Sequence, residues 1–139
     1  MRKFMILFTM FALLLLALPT FLEPKGLTDS NNAGPNIRVY GANVWGIRGY
    51  FAVHTWIATR QKGEKQYQID QIIGWRLRKT GSALVTNQGS PSKPWFGNKA
   101  ILLHETHGPD AAKLIPKVRS AIQDYPYATQ YKMFPGPNS

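Results

Sequence analysis

The chain has 139 residues, room for one domain, and carries 17 Lys and Arg against 7 Asp and Glu, a formal net charge of +10. It has no cysteine, which excludes disulfides, thiolate metal sites and a cysteine nucleophile. The basic charges are spread through the sequence without an arginine-rich run, a helix-turn-helix signature or an RNA-binding aromatic motif, so they read as a solvated basic surface and no nucleic acid is expected as partner.

Phe4 to Leu22 is apolar except for Thr9, Pro19 and Thr20, and follows Arg2 and Lys3. At about 1.5 Å per residue a helix of this length reaches about 28 Å, close to the bilayer core of about 30 Å. Residues 1–22 are expected to be a membrane anchor or a signal segment: Pro19 suits a signal peptide, but no small-x-small cleavage triplet follows it, which favours an uncleaved anchor. The positive start places the remainder outside the inner membrane, on the periplasmic or extracytoplasmic side. Residues 23–36, with Pro24, Gly26, Gly34, Pro35 and Asp29-Ser-Asn-Asn32, read as a flexible tether to a single domain over 37–139.

Within that domain Ile37–Tyr40 predicts a short strand, followed by a loop through Gly49 in which Trp45 anchors the packing. Phe51–Thr59 and Tyr67–Leu77 predict the two main strands, paired across a turn centred near Gly63. Their apolar faces are expected to be Phe51, Val53, Thr55 and Ile57 with Tyr67, Ile69, Ile73 and Trp75. In that register His54 lies opposite Ile72 and diagonal to Asp70, on a face shared with Trp56, Gln68 and Arg76. Ser82–Asn87 predicts a third strand, and Trp95-Phe96-Gly97 is expected to pack its far end onto the core. Ala100–Leu103 is a short apolar piece of undecided type. Leu114, Ile115, Val118, Ala121, Ile122 and Tyr125 recur at helical spacing, predicting a turn at Pro109–Lys113 and the main helix from Leu114 to Asp124, with Pro116 in its first turn. The fold class expected is α+β, a small antiparallel sheet packed on one main helix.

His54 with Asp70 is the candidate catalytic pair, because an imidazole needs one nitrogen fixed by a partner while the other acts as base. Gln68 is a neutral substitute for Asp70. The competing reading is a strand histidine packed beside Trp56 and hydrogen-bonded for structure. Arg76 and Trp56 are candidates for binding a substrate, Arg76 by receiving an anionic group. His104-Glu-Thr-His107 falls one residue short of a zinc-protease HExxH and reads as a solvated loop, so no metal or other cofactor is expected. The four tryptophans read first as core, and second as a stacking platform for sugars.

Phe51-Ala-Val-His-Thr-Trp-Ile-Ala58, Ile73-Gly-Trp-Arg76, Trp95-Phe-Gly97, Leu114-Ile-Pro116, Tyr125-Pro-Tyr127 and Pro135-Gly-Pro-Asn-Ser139 together resemble family 3750 of the domains of unknown function, over residues 37–139. The resemblance implies a bacterial protein with an N-terminal membrane segment, and no established activity. The family pattern continues with Asn-Thr-Phe and a further helical region, so the chain is expected to be C-terminally incomplete. A strand histidine, a polar residue on the next strand and a later Asn-Ser opening a helix are also similar to circularly permuted papain-like domains, such as NlpC-type peptidases and lecithin retinol acyltransferase-like proteins. That likeness implies His54 as base, Asp70 or Gln68 as its orienting partner, and Ser139 where cysteine normally stands as nucleophile. Serine needs stronger activation than cysteine in that role. The functions this sets against each other are a hydrolase or acyltransferase acting on envelope amides or esters, and a non-catalytic envelope module binding a peptide, lipid or polymer.

Overall fold

The computed structural model of the chain describes residues 34–132 and Gly136. The expected anchor, most of the tether and Ser139 lie outside the described residues. Among the described residues no helix is long and apolar enough to cross a membrane.

Five strands form one antiparallel sheet: β1 (Asn36–Asn43), β2 (Val53–Arg60), β3 (Tyr67–Ile72), β4 (Leu84–Gly89) and β5 (Ile101–His107). The spatial order is β4-β3-β2-β1-β5, so β1 to β4 run as a meander and the chain then returns to place β5 against β1. A short helix, α1 (Arg76–Thr80), joins β3 to β4, and the main helix, α2 (Gly108–Gln123), follows β5 directly. The α+β architecture anticipated from the sequence is the one observed.

Several elements differ from expectation. The second main strand ends at Ile72 rather than Leu77. Ile73-Gly74-Trp75 turns the chain, with the Ile73 amide donating to the Ala83 carbonyl at 2.7 Å, and α1 takes over until Gly81 closes it at φ 75°. Gly is suited to that left-handed cap because no Cβ opposes it. The main helix begins six residues early. Pro109, lacking an N–H, fits the first turn, whereas Pro116 sits in the interior, where its ring leaves the Ala112 carbonyl without its usual donor. His104-Glu-Thr-His107 is not a loop but the end of β5, whose pairing with β1 slips between Val39 and Tyr40.

The β2–β3 register is the largest correction. Ile57 pairs with Asp70 and Trp56 with Gln71, one residue away from the expected alignment. The connection holds six residues, 61–66, rather than an odd number centred on Gly63. Glu64 N–H closes its turn onto the Gln61 carbonyl at 3.1 Å. A slip of one exchanges the faces of one strand relative to the other.

The two faces bury different clusters. On one, Ile37, Ala111 and Ile115 pack with Ile57 and Val118, which docks α2. Arg119 then reaches from α2 to donate to Thr59 Oγ1 at 3.0 Å and to both carboxylate oxygens of Glu64, at 2.8 and 2.7 Å. The bonds to Arg119 hold the Glu64 carboxyl below its ordinary range. On the other face, Tyr40, Ala42 and Trp56 pack with Ile69, Trp95, Ala100 and Leu102. Thus the even-numbered residues of β2 line the better-filled half, and of the expected apolar set Phe51, Val53, Thr55 and Ile57 only Ile57 packs; the other three are exposed. Trp45 is exposed too, rather than anchoring the loop. Leu114, expected in the buried stripe of the helix, is partly exposed, while Ala111 takes the core position one turn earlier.

Candidate functional site

His54 stands at the start of β2, on the same face as Trp56. With the observed register its diagonal neighbour across the sheet is Gln71, and His54 Nε2 lies 2.9 Å from Gln71 Oε1. An amide oxygen can only accept, so Nε2 carries the proton and Nδ1 is left with the lone pair. The imidazole is stacked on Trp95, with ring centroids 3.7 Å apart and planes 14° from parallel, and Trp56 flanks it at 5.8 Å. Burial pushes the His54 imidazole below its ordinary value of 6.5, opposed by the Gln71 hydrogen bond. At neutral pH the ring is therefore an uncharged base with a defined tautomer.

Trp95 is delivered by a two-residue hairpin turn. Trp95 and Asn98 exchange both backbone hydrogen bonds at 2.9 Å, with Phe96 at φ 46° and Gly97 at φ 83°. A left-handed conformation at both central positions suits a type I′ turn, and Gly97 adopts it freely while Phe96 does so at a cost of about 1 kcal/mol or more. The turn is tied to the rest of the sheet where Asn98 Nδ2 donates to the Asn43 carbonyl at 2.8 Å. Phe96 and Trp75 continue the aromatic cluster outward, each in ring contact with Trp95. Beside Gln71 opens a groove of about 320 Å³ whose lining includes Trp56, Ile69, Asn87, Lys93 and Trp95. Trp56 closes its floor by donating from Nε1 to the Pro91 carbonyl at 2.8 Å.

The other sequence candidates fall apart from this centre. Asp70 is not beside His54: it points to the opposite face, buried, accepting from Thr86 Oγ1 at 2.6 Å and from Gln68 Nε2 at 3.0 Å. Gln68 shares that opposite face. The physical reason is the register, which replaces Asp70 by Gln71 next to the imidazole. Arg76 is on α1, not at the end of a strand, with its Nε buried and lacking a hydrogen-bond partner. Trp56 is core and groove wall together. Ser139 lies outside the described residues. His104 bonds within its own strand, to Thr106 Oγ1 at 3.1 Å, and among the described residues no three His, Asp or Glu side chains converge as metal ligands. Glu105, between the two histidines, accepts from Asn36 Nδ2 and Arg38 Nε at 2.6 and 2.9 Å.

Gln71 and Trp95 are the residues beside His54 that sequence reasoning does not single out. A six-residue connection between the strands is the signal that would have selected Gln71.

An α+β domain with a five-stranded antiparallel sheet and an amide-oriented histidine at one end is the class that fold and site define. The chain belongs to the protein family of unknown function DUF3750, whose profile matches residues 35–139. No curated protein and no solved structure matches it.

Proposed function

We propose that the domain is a hydrolase or acyltransferase of the permuted papain-like type, held at the cell envelope by residues 4–22 on the extracytoplasmic side of the inner membrane. Its substrates in this reading are envelope amides or esters. The observation that carries it is the His54–Gln71 pair: a neutral imidazole with Nε2 committed to an amide oxygen and Nδ1 available as base. Papain-like chemistry needs that arrangement, with Gln71 doing what Asp70 or Gln68 was expected to do. Ser139 would supply the nucleophile. Nδ1 takes the Ser139 hydroxyl proton as the oxygen attacks the acyl carbonyl, then returns it to the departing amine or alcohol. Water or an acceptor nucleophile then releases the acyl group by the reverse proton traffic.

Labelling of the full chain by a fluorophosphonate, followed by peptide mass mapping, tests this without a known substrate. Modification at Ser139 is expected, and His54→Ala should slow it by about 10²–10⁴-fold, the usual contribution of a general base. Because His54 is neutral in the fold down to below 6.5, the acid limb of the labelling rate should lie below that value. Gln71→Ala should move the limb further down, since the hydrogen bond it removes favours the protonated ring. No labelling at Ser139, or labelling indifferent to His54→Ala, sinks the proposal.

A non-catalytic binding module is the second reading. It is favoured by one observation: the groove beside Gln71 is lined by Trp56, Ile69 and Trp95 but not by His54 itself. In that case the aromatic cluster and groove hold a ligand and the histidine is structural.

A further inference from the structure

The connection between β1 and β2, residues 44–52, projects from the His54 end of the sheet and carries an unusual set of side chains. Trp45, Ile47, Tyr50 and Phe51 are 62, 80, 84 and 87% exposed, and Val53 at the base of the projection is also exposed. Four large exposed apolar side chains within one short connection, two of them in ring contact at 6.4 Å, mark an interaction surface, because isolated apolar residues at a surface are normal but a group is not.

The projection is not a slack loop. Residues Gly46–Tyr50 form a 3-10 turn, the Phe51 and Ala52 amides both donate to the Arg48 carbonyl at 3.0 and 2.9 Å, and Val44 N–H closes the base onto the Ala52 carbonyl at 3.1 Å. A fixed scaffold therefore holds the apolar side chains out. Arg48 stands among them, Lys99 follows the Asn98 that is bonded to Asn43 at the base, and no acidic residue occurs anywhere from Asn36 to Arg60. Phe96 and Trp75, both more than half exposed, stand at the same end of the sheet.

Aromatic and aliphatic side chains at a tip, flanked by cations and free of carboxylates, have the chemistry of a bilayer interface. Trp and Tyr place ring and polar edge at headgroup level, and basic groups meet anionic lipid. We propose that residues 45–51 dock into an anionic lipid surface, burying Ile47 and Phe51 about 5–10 Å into the headgroup–acyl boundary. Arg48 pairs with lipid phosphates there. This does not depend on the catalytic reading; it requires only the exposed tip and its charge.

The absence of cysteine gives a clean test. Full-length chain carrying Ile47→Cys, Phe51→Cys or Lys62→Cys is labelled with a fluorophore and reconstituted in vesicles of phosphatidylglycerol and phosphatidylethanolamine. Lys62, in the β2–β3 connection, lies roughly 25 Å away along β2 at about 3.3 Å per residue, at the end where Asn36 pairs with Arg60 and the chain enters β1, so it is the depth reference for the opposite end of the sheet. The expected result is several-fold stronger quenching at 47 and 51 by brominated acyl chains, with protection from an aqueous quencher, while 62 stays aqueous. Arg48→Glu, or vesicles of phosphatidylcholine alone, should weaken the lipid quenching several-fold. Full aqueous access at 47 and 51 overturns the proposal. Protection that deepens with protein concentration but shows no lipid quenching overturns it as well, because the tip is then covered by a second copy.

Discussion

Trp56→Ala is expected to cost about 3–5 kcal/mol of folding free energy, read as a lowered urea midpoint in the full chain. The indole is buried on the central strand, stacked on Tyr40 with ring centroids 5.8 Å apart and planes 13° from parallel. Around it gather Ile69, Trp95, Ala100 and Leu102, drawn from β3, β5 and the connection before β5. Truncation opens a cavity that those neighbours cannot close without giving up their own contacts. It also leaves the Pro91 carbonyl without its donor. Trp56→Phe separates the two effects: most of the apolar contact survives, and the residual loss of about 1–3 kcal/mol is the unsatisfied carbonyl plus a smaller void. A destabilisation by Trp56→Ala below about 1 kcal/mol would mean that the connection carrying Trp95 is not packed on the sheet.

Ile115→Ala should cost about 2–5 kcal/mol by the same mechanism on the other face. Ile115 is the buried residue that joins α2 to Ile37 of β1, with Ala111 one turn before it and Val118 one turn after. Nothing polar compensates at that contact. The ion pair of Arg119 with Glu64 lies at the edge and is partly exposed, so its contribution is small beside the lost side chain. Because the two clusters share no residue, the double variant should be additive within about 0.5 kcal/mol. Chemical denaturation of the two single variants and the pair decides this; strong coupling would show that the faces are not independently packed.

Much of the fold was legible because strands and helix announce themselves by composition. Aromatic and β-branched runs marked β2, β3 and β4, and the spacing around Ile115 marked α2. The register was not legible, since β2 is apolar on both sides: Trp56 and Ala58 compete with Val53 and Ile57 for the core, and alternation alone cannot choose. The choice is made by the number of residues turning between Arg60 and Tyr67. Once it fell the other way, the carboxylate at 70 moved to the far face with Thr86, and Gln71 arrived beside His54. His54 is legible as a candidate, an imidazole within a strand and close to an aromatic partner. The role of Trp95 was hidden because it depends on a tight turn with Phe96 in a left-handed conformation, which no periodicity foretells. The projecting tip is not legible in the sequence because Trp45 and Phe51 read as core by residue type, and only tertiary structure shows them uncovered.

The return of the chain from β4 to lay β5 beside β1 has a kinetic meaning. The four-strand meander closes through short local connections, whereas pairing Ile37 with Thr106 must bring together positions far apart in sequence. Closing such a span costs more conformational entropy than closing a hairpin, so it should come late in folding. β5 and α2 would then be the last to arrive and the first to leave. Stopped-flow measurements on Ile115→Ala should accordingly show faster unfolding with a nearly unchanged refolding rate.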